Sequence, residues 1–108
     1  MVNMNRGELG GSRILRDATY TLMWTPSFTD ATRTNWRYAR GAGISWAHGE
    51  YKGHPVVWHA GGDTGFTSDF VMMSDRKIAV IWMMNADWPK RVTLTNTALD
   101  IALGERTP

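Results

Sequence analysis

The sequence predicts an α+β fold: an antiparallel sheet of three to four strands flanked by an N-terminal and a C-terminal helix. Three observations carry this. Between His54 and Asn85 stand three runs, Pro55–Ala60, Phe66–Met73 and Lys77–Met84, separated by the turn clusters Gly61-Gly62-Asp63-Thr64-Gly65 and Ser74-Asp75-Arg76. β-Branched and aromatic runs bounded by Gly, Asp and Ser are the signature of strands joined by tight connections. Behind them Val92, Thr95, Ala98, Leu99, Ala102 and Leu103 recur at helical spacing. Ahead of them, Asp17 to about Trp24 reads as a short helix.

Residues 1–16 are polar and glycine-bearing, with one apolar pair at Ile14-Leu15. Asp17 is placed to cap the first helix, with Leu22 and Met23 turned inward. Thr25-Pro26 ends it, because the residue before proline is pushed out of the helical region. Ser27 to Asn35 is read as loop. Tyr38 to Ala47 alternates as a strand, with Ile44 and Trp46 on one face, and His48-Gly49-Glu50-Tyr51-Lys52-Gly53 closes a hairpin into the next run. At the other end Asp87 is placed as the N-cap of the second helix, Pro89 in its first turn and Gly104 at its C-cap.

The run Lys77–Met84 sets the architecture. Ile78, Val80, Trp82 and Met84 fall on one face, and Ala79, Ile81 and Met83 on the other. Both faces are apolar, so the run is expected to be a central strand covered on both sides. The second helix supplies one cover, and nothing else in the chain looks large enough to supply the other.

Composition excludes several classes. The chain has 108 residues, 43% of them hydrophobic and 20% charged, which is the balance of a globular protein and the length of one domain or part of one. A net charge of +2 with scattered basic residues does not point to nucleic acid. There is no cysteine, hence no disulfide or thiol chemistry. No run approaches the roughly 18 apolar residues of a membrane helix, and Met1 to Arg6 has no signal-peptide core. His48, His54 and His59 form no metal-ligand spacing, and no cofactor is expected. The six Trp and three Tyr would suit stacking on sugars or peptides, but the strand positions of Trp46, Trp58 and Trp82 favour a core role.

His59-Ala60-Gly61-Gly62 lies at the end of a strand, where a glycine pair lets another backbone or a ligand approach and where free N–H groups would receive an oxyanion. The order strand, His59-Ala60-Gly61-Gly62-Asp63-Thr64-Gly65-Phe66, strand, turn, apolar strand, Asn85, helix resembles the C-terminal end of the serine β-lactamase and penicillin-binding-protein superfamily. It is most similar to the class C β-lactamases and the related esterases and D-amino-acid peptidases. His59-Ala60-Gly61 matches the His-x-Gly form of that family's third motif. Arg40-Gly41-Ala42-Gly43-Ile44-Ser45-Trp46 is similar to its Gly-Leu-Gly-Trp strand, Leu9 to Leu15 to the segment before it, and Asn85-Ala86-Asp87-Trp88-Pro89 to the entry into its last helix.

The resemblance implies acyl transfer to a serine, followed by hydrolysis of a β-lactam, D-amino-acid peptide or ester. By carry-over, the candidate catalytic residues are His59, facing the substrate carboxylate or leaving group, Gly61, giving close approach, and Gly62, whose N–H matches the oxyanion donor. The other two motifs are missing. The one Ser-x-x-Lys string, Ser74-Asp75-Arg76-Lys77, falls in a predicted turn, where the lysine cannot return one helical turn onto the serine. Tyr38-Ala39-Arg40 has the spacing of Tyr-x-Asn but no Asn.

Residues 1–108 are therefore read as a single partial domain, the C-terminal part of a β-lactamase-like hydrolase and inactive alone. The expected partners are a small-molecule acyl substrate, once the missing N-terminal part is supplied, and a second copy or that missing half; no nucleic acid or membrane is expected. The sequence leaves the compartment open; the family it resembles is mostly periplasmic or extracytoplasmic. The alternative is a non-catalytic module that binds a ligand or itself through the same sheet, with an open apolar edge as the route to a dimer.

Overall fold

The computed structural model describes residues 2–29, 39–87 and 90–105. The protein is α+β. A two-stranded antiparallel ribbon, β1 (Glu8–Leu9) and β2 (Ser12–Arg13), precedes helix α1 (Asp17–Trp24). Five antiparallel strands follow in spatial order: β3 (Ala39–Ala42), β4 (Ala47–Tyr51), β5 (His54–Asp63), β6 (Phe66–Met73) and β7 (Ile78–Met84). Helix α2 (Arg91–Leu103) closes the described chain.

The sheet is a meander, because each strand is joined to the next by a connection too short for any other route. The two tightest are Lys52-Gly53 and Thr64-Gly65, and at Lys52-Gly53 φ is 50° and 82°. Positive φ at both central residues gives a turn whose twist matches the strands it joins. The hairpin expected over His48–Gly53 is therefore narrower: residues up to Tyr51 stay in β4, and Tyr51 pairs with His54. Pro55 is tolerated in β5 because β6 does not reach it; pairing with β6 begins at Val57–Met72.

One face of the sheet carries the main core. Val56, Val71 and Met73 are buried with Leu99 of α2, and Tyr51, Trp58, Ile78, Val80 and Leu103 pack around them. Burying each such aliphatic side chain stabilises the fold by about 1.5–3 kcal/mol. A polar chain ties the helix to the sheet within this layer. Trp82 Nε1 donates to Thr95 Oγ1 at 2.9 Å, and the Thr95 hydroxyl donates to the Asp69 carboxylate. Gly104 ends α2 in the left-handed region, as expected, and its N–H returns to the Asp100 and Ile101 carbonyls.

The opposite face has a cover that the sequence does not announce. Met4, from the polar first segment, is buried against Val57 and Met72, with Trp24, Trp46 and Phe70 around them. Tyr20 is the inward residue of α1, and Leu22 is 63% exposed. Asp17 does not cap α1: Arg16 is the N-cap, and Asp17 sits in the first turn bonded to Arg6 Nε at 2.5 Å. That guanidinium holds the Asp17 carboxyl below its ordinary range, mainly through the hydrogen bond. Thr25 ends the helix in an extended conformation before Pro26.

Three more expectations change. The run Tyr38–Ala47 is two strands, broken at residues 43–46, where Ser45 has φ 61° and Ile44 is 53% exposed; Tyr38 itself lies outside the described residues. Strand β5 does not stop at Ala60 but continues through Gly61, Gly62 and Asp63, paired with Ser68, Thr67 and Phe66. Strand β7 is an edge among the described strands, not central. Its alternation holds, with Ile78, Val80 and Trp82 turned toward α2 and Ala79, Ile81 and Met83 turned outward. Asp87 does not cap α2 either. Lys90 is the N-cap, Asp87 accepts the Gly65 N–H at 3.2 Å, and Pro89 lies outside the described residues.

Candidate functional site

Strand β5 outruns β4, and the site follows from that. Tyr51 and His54 flank the Lys52-Gly53 turn as a hydrogen-bonded pair, and bonding alternates from there along an antiparallel ladder. His54, Val56 and Trp58 thus turn their N–H and C=O groups toward β4. Ala60 and Gly62 have the same phase, but the β4 ladder ends at Ala47, the partner of Trp58. Counting back from the Thr64-Gly65 turn gives the same answer: Asp63, Gly61, His59 and Val57 bond to β6. Among the described strands none pairs with β5 beside Ala60 and Gly62, so this backbone edge is open.

A cavity of about 550 Å³ lies along the start of this edge. Its lining includes Trp58, His59 and Ala60 of β5, Gly43, Ser45 and Trp46 from the 43–46 loop, and Arg91 and Val92 of α2. A second hollow continues past Gly62 and Asp63 and also reaches Arg91. The two meet at that residue and form a trough along the open edge. His59 points to the face away from α2, since Val57 on the same side packs with Met4 while Val56 packs with Leu99. Arg91 arrives from the α2 side. The trough is walled by an imidazole on one flank and a guanidinium on the other.

Local structure places each wall. Gly43 N–H donates to the Trp46 carbonyl at 2.8 Å, and Ile44 N–H donates to the Met23 carbonyl at 3.1 Å, which fixes the loop on the end of α1. Trp46 meets Phe70 edge to face at 5.3 Å between ring centres. Ser45 stands exposed in the left-handed region, an uncommon conformation for a residue other than glycine. The chain leaving β7 is tied to the sheet: Thr67 Oγ1 donates to the Ala86 carbonyl at 2.8 Å, and Asp87 accepts the Gly65 N–H of the β5–β6 turn. His48 lies beneath the loop. Burial lowers its pKa, and the nearby Met23 backbone opposes this more weakly.

The sequence-predicted residues separate. His59 lines the cavity and is exposed, and its side chain makes no hydrogen bond among the described residues. Gly62 borders the continuation, with its N–H on the open edge. Gly61 bonds to β6, and a Cβ there would lie 2.5 Å from Ser68 Oγ. It lines a different hollow, with Phe66, Ser68 and Met83, on the face away from α2. Ser74–Lys77 forms a turn in which the Lys77 N–H meets the Ser74 carbonyl at 3.4 Å. Arg91, Ser45 and the free phase of Ala60 were missed. For Arg91 a signal existed: Lys90-Arg91 opens a helix at its positive end, where basic side chains are disfavoured.

No family model, curated protein or solved structure matches the chain. Among the described residues no three His, Asp or Glu side chains are grouped to hold a metal ion. The chemistry available is that of hydrogen-bond donors and acceptors on a strand edge, flanked by two nitrogen-bearing side chains.

Proposed function

We propose that the chain is the C-terminal segment of a serine β-lactamase-like hydrolase, and that its open β5 edge binds the acyl substrate. The observation that carries this reading is the overhang of β5 beyond Ala47, which leaves the Ala60 and Gly62 backbone facing a trough. An extended acyl or peptide ligand would add to that edge as a strand. Gly62 N–H would donate to the developing oxyanion, and His59 and Arg91 would hold a carboxylate between them. The nucleophile belongs to a part outside this sequence, so the chain alone binds and does not turn over.

The test is affinity for a penicillin and for a D-alanyl-D-alanine peptide, measured by calorimetry on the wild type, His59→Ala and Arg91→Met. Each substitution is expected to weaken binding several-fold while leaving the melting temperature nearly unchanged. A loss of stability in the range of a core truncation, about 2–5 kcal/mol, would make His59 structural. Unaltered affinity in both variants would remove the trough as the binding site. The second reading, a self-associating module, is favoured by a separate feature, the outer edge of β7.

A further inference from the structure

Among the described residues, four other than glycine sit at positive φ: Arg6, Ser45, Lys52 and Lys77. Three of them are used by the fold. Arg6 is tied to Asp17 and Thr21, Lys52 to Asp100 and Glu105, and Lys77 closes the turn from Ser74 through its N–H. Ser45 differs. Its φ of 61° belongs to the turn between β3 and β4, where Gly43 N–H meets the Trp46 carbonyl at 2.8 Å. That turn needs the backbone conformation, and glycine adopts it without strain. It does not need the hydroxyl, which makes no hydrogen bond among the described residues. A side chain kept in a disfavoured conformation with no use inside the fold directs attention to a ligand.

Register places Ser45 in the trough. The last pair between β4 and β5 is Ala47–Trp58. Continuing the same antiparallel count sets Trp46 level with His59 and Ser45 level with Ala60. Here the chain turns away instead of pairing, which leaves the Ala60 backbone open. A ligand laid along the Ala60–Gly62 edge follows the track that β4 vacates, so one of its ends meets the turn at Ser45. Ser45, His59, Ala60 and Arg91 line the same cavity.

Charge decides which end of the ligand arrives there. Asp63 and Asp87 line the second hollow beside Arg91, and they repel a carboxylate. The lining of the first cavity carries no acidic side chain and brings together the His59 imidazole, the Arg91 guanidinium and the Ser45 hydroxyl. Each of the three can donate a hydrogen bond.

We infer that Ser45 is a specificity-determining residue of the trough, whose hydroxyl donates to the carboxylate of the bound acyl ligand. The inference rests on the binding role proposed above for the β5 edge. A hydrogen bond to a charged acceptor is stronger than one to a neutral acceptor. The hydroxyl therefore favours a ligand that ends in a free carboxylate over the same ligand carrying an ester.

Calorimetry with N-acetyl-D-alanyl-D-alanine and with its methyl ester tests this on the wild type, Ser45→Gly and Ser45→Ala. Both substitutions are expected to weaken the acid about tenfold and the ester much less. Ser45→Gly is also expected to raise the melting temperature, because it removes a β-carbon from the left-handed region. Unchanged affinity for the acid, an equal loss for acid and ester, or a lower melting temperature in Ser45→Gly would each overturn the inference. Binding that weakens in His59→Ala and Arg91→Met but not in the Ser45 variants would keep the trough and remove Ser45 from it. A wild type that binds neither ligand would remove both.

Discussion

Gly43 lies so close to Met23 that a Cβ on it would stand 2.2 Å from the Met23 carbonyl oxygen. That oxygen is not free to retreat, because it accepts the Ile44 N–H at 3.1 Å. The end of α1 and the loop walling the trough are thus locked by the absence of one methyl group. Gly43→Ala is expected to cost about 1–3 kcal/mol through overpacking, read as a lower denaturation midpoint. An unchanged midpoint would mean that the loop is not anchored on α1.

Thr95 is fully buried and lies between Trp82 and Asp69, accepting from one and donating to the other. Thr95→Val keeps the shape and removes both hydrogen bonds. The expected loss is about 1–3 kcal/mol, the cost of leaving buried polar groups without a partner they had. Chemical denaturation measures it, and a neutral result would show that the network does not stabilise the α2 contact.

His48 gives the fold a pH dependence. Burial lowers its folded pKa below the unfolded value of about 6.5. The unfolded chain then binds more protons in mild acid. The stability gained by keeping the ring neutral is complete above that value and is lost as pH falls through the folded pKa. The melting temperature is expected to drop between about pH 7 and about pH 5, and less so in His48→Gln. An equal drop in both proteins would exclude His48 as the source.

Much of the fold was legible because pattern and packing agree. Phe66–Met73 is a strand at both predicted ends, and Gly104 caps α2 as its position implied. Where pairing overrides local preference, the sequence misleads. Gly61-Gly62-Asp63 has turn composition, yet Ser68, Thr67 and Phe66 hold it in a strand. The phase that opens Ala60 and Gly62 depends on where β4 stops, and β4 stops because Ser45 turns into the left-handed region. No periodicity signals that. Met4 helps cover the second face from a segment whose few apolar residues follow no helix or strand period. His59 was found by its motif, whereas Arg91 reaches the trough from the first turn of α2, a placement set by tertiary packing.

The trough is tested most directly at the backbone amides of β5. In a residue-resolved NMR titration with a penicillin or a D-alanyl-D-alanine peptide, the amides of Ala60 and Gly62 are predicted to shift with saturation, together with His59 and the Arg91 side chain. The amides of Val57 and Gly61, bonded to β6, are predicted to move little. Silence at Ala60 and Gly62, or shifts confined to Ile81 and Met83, would contradict the account.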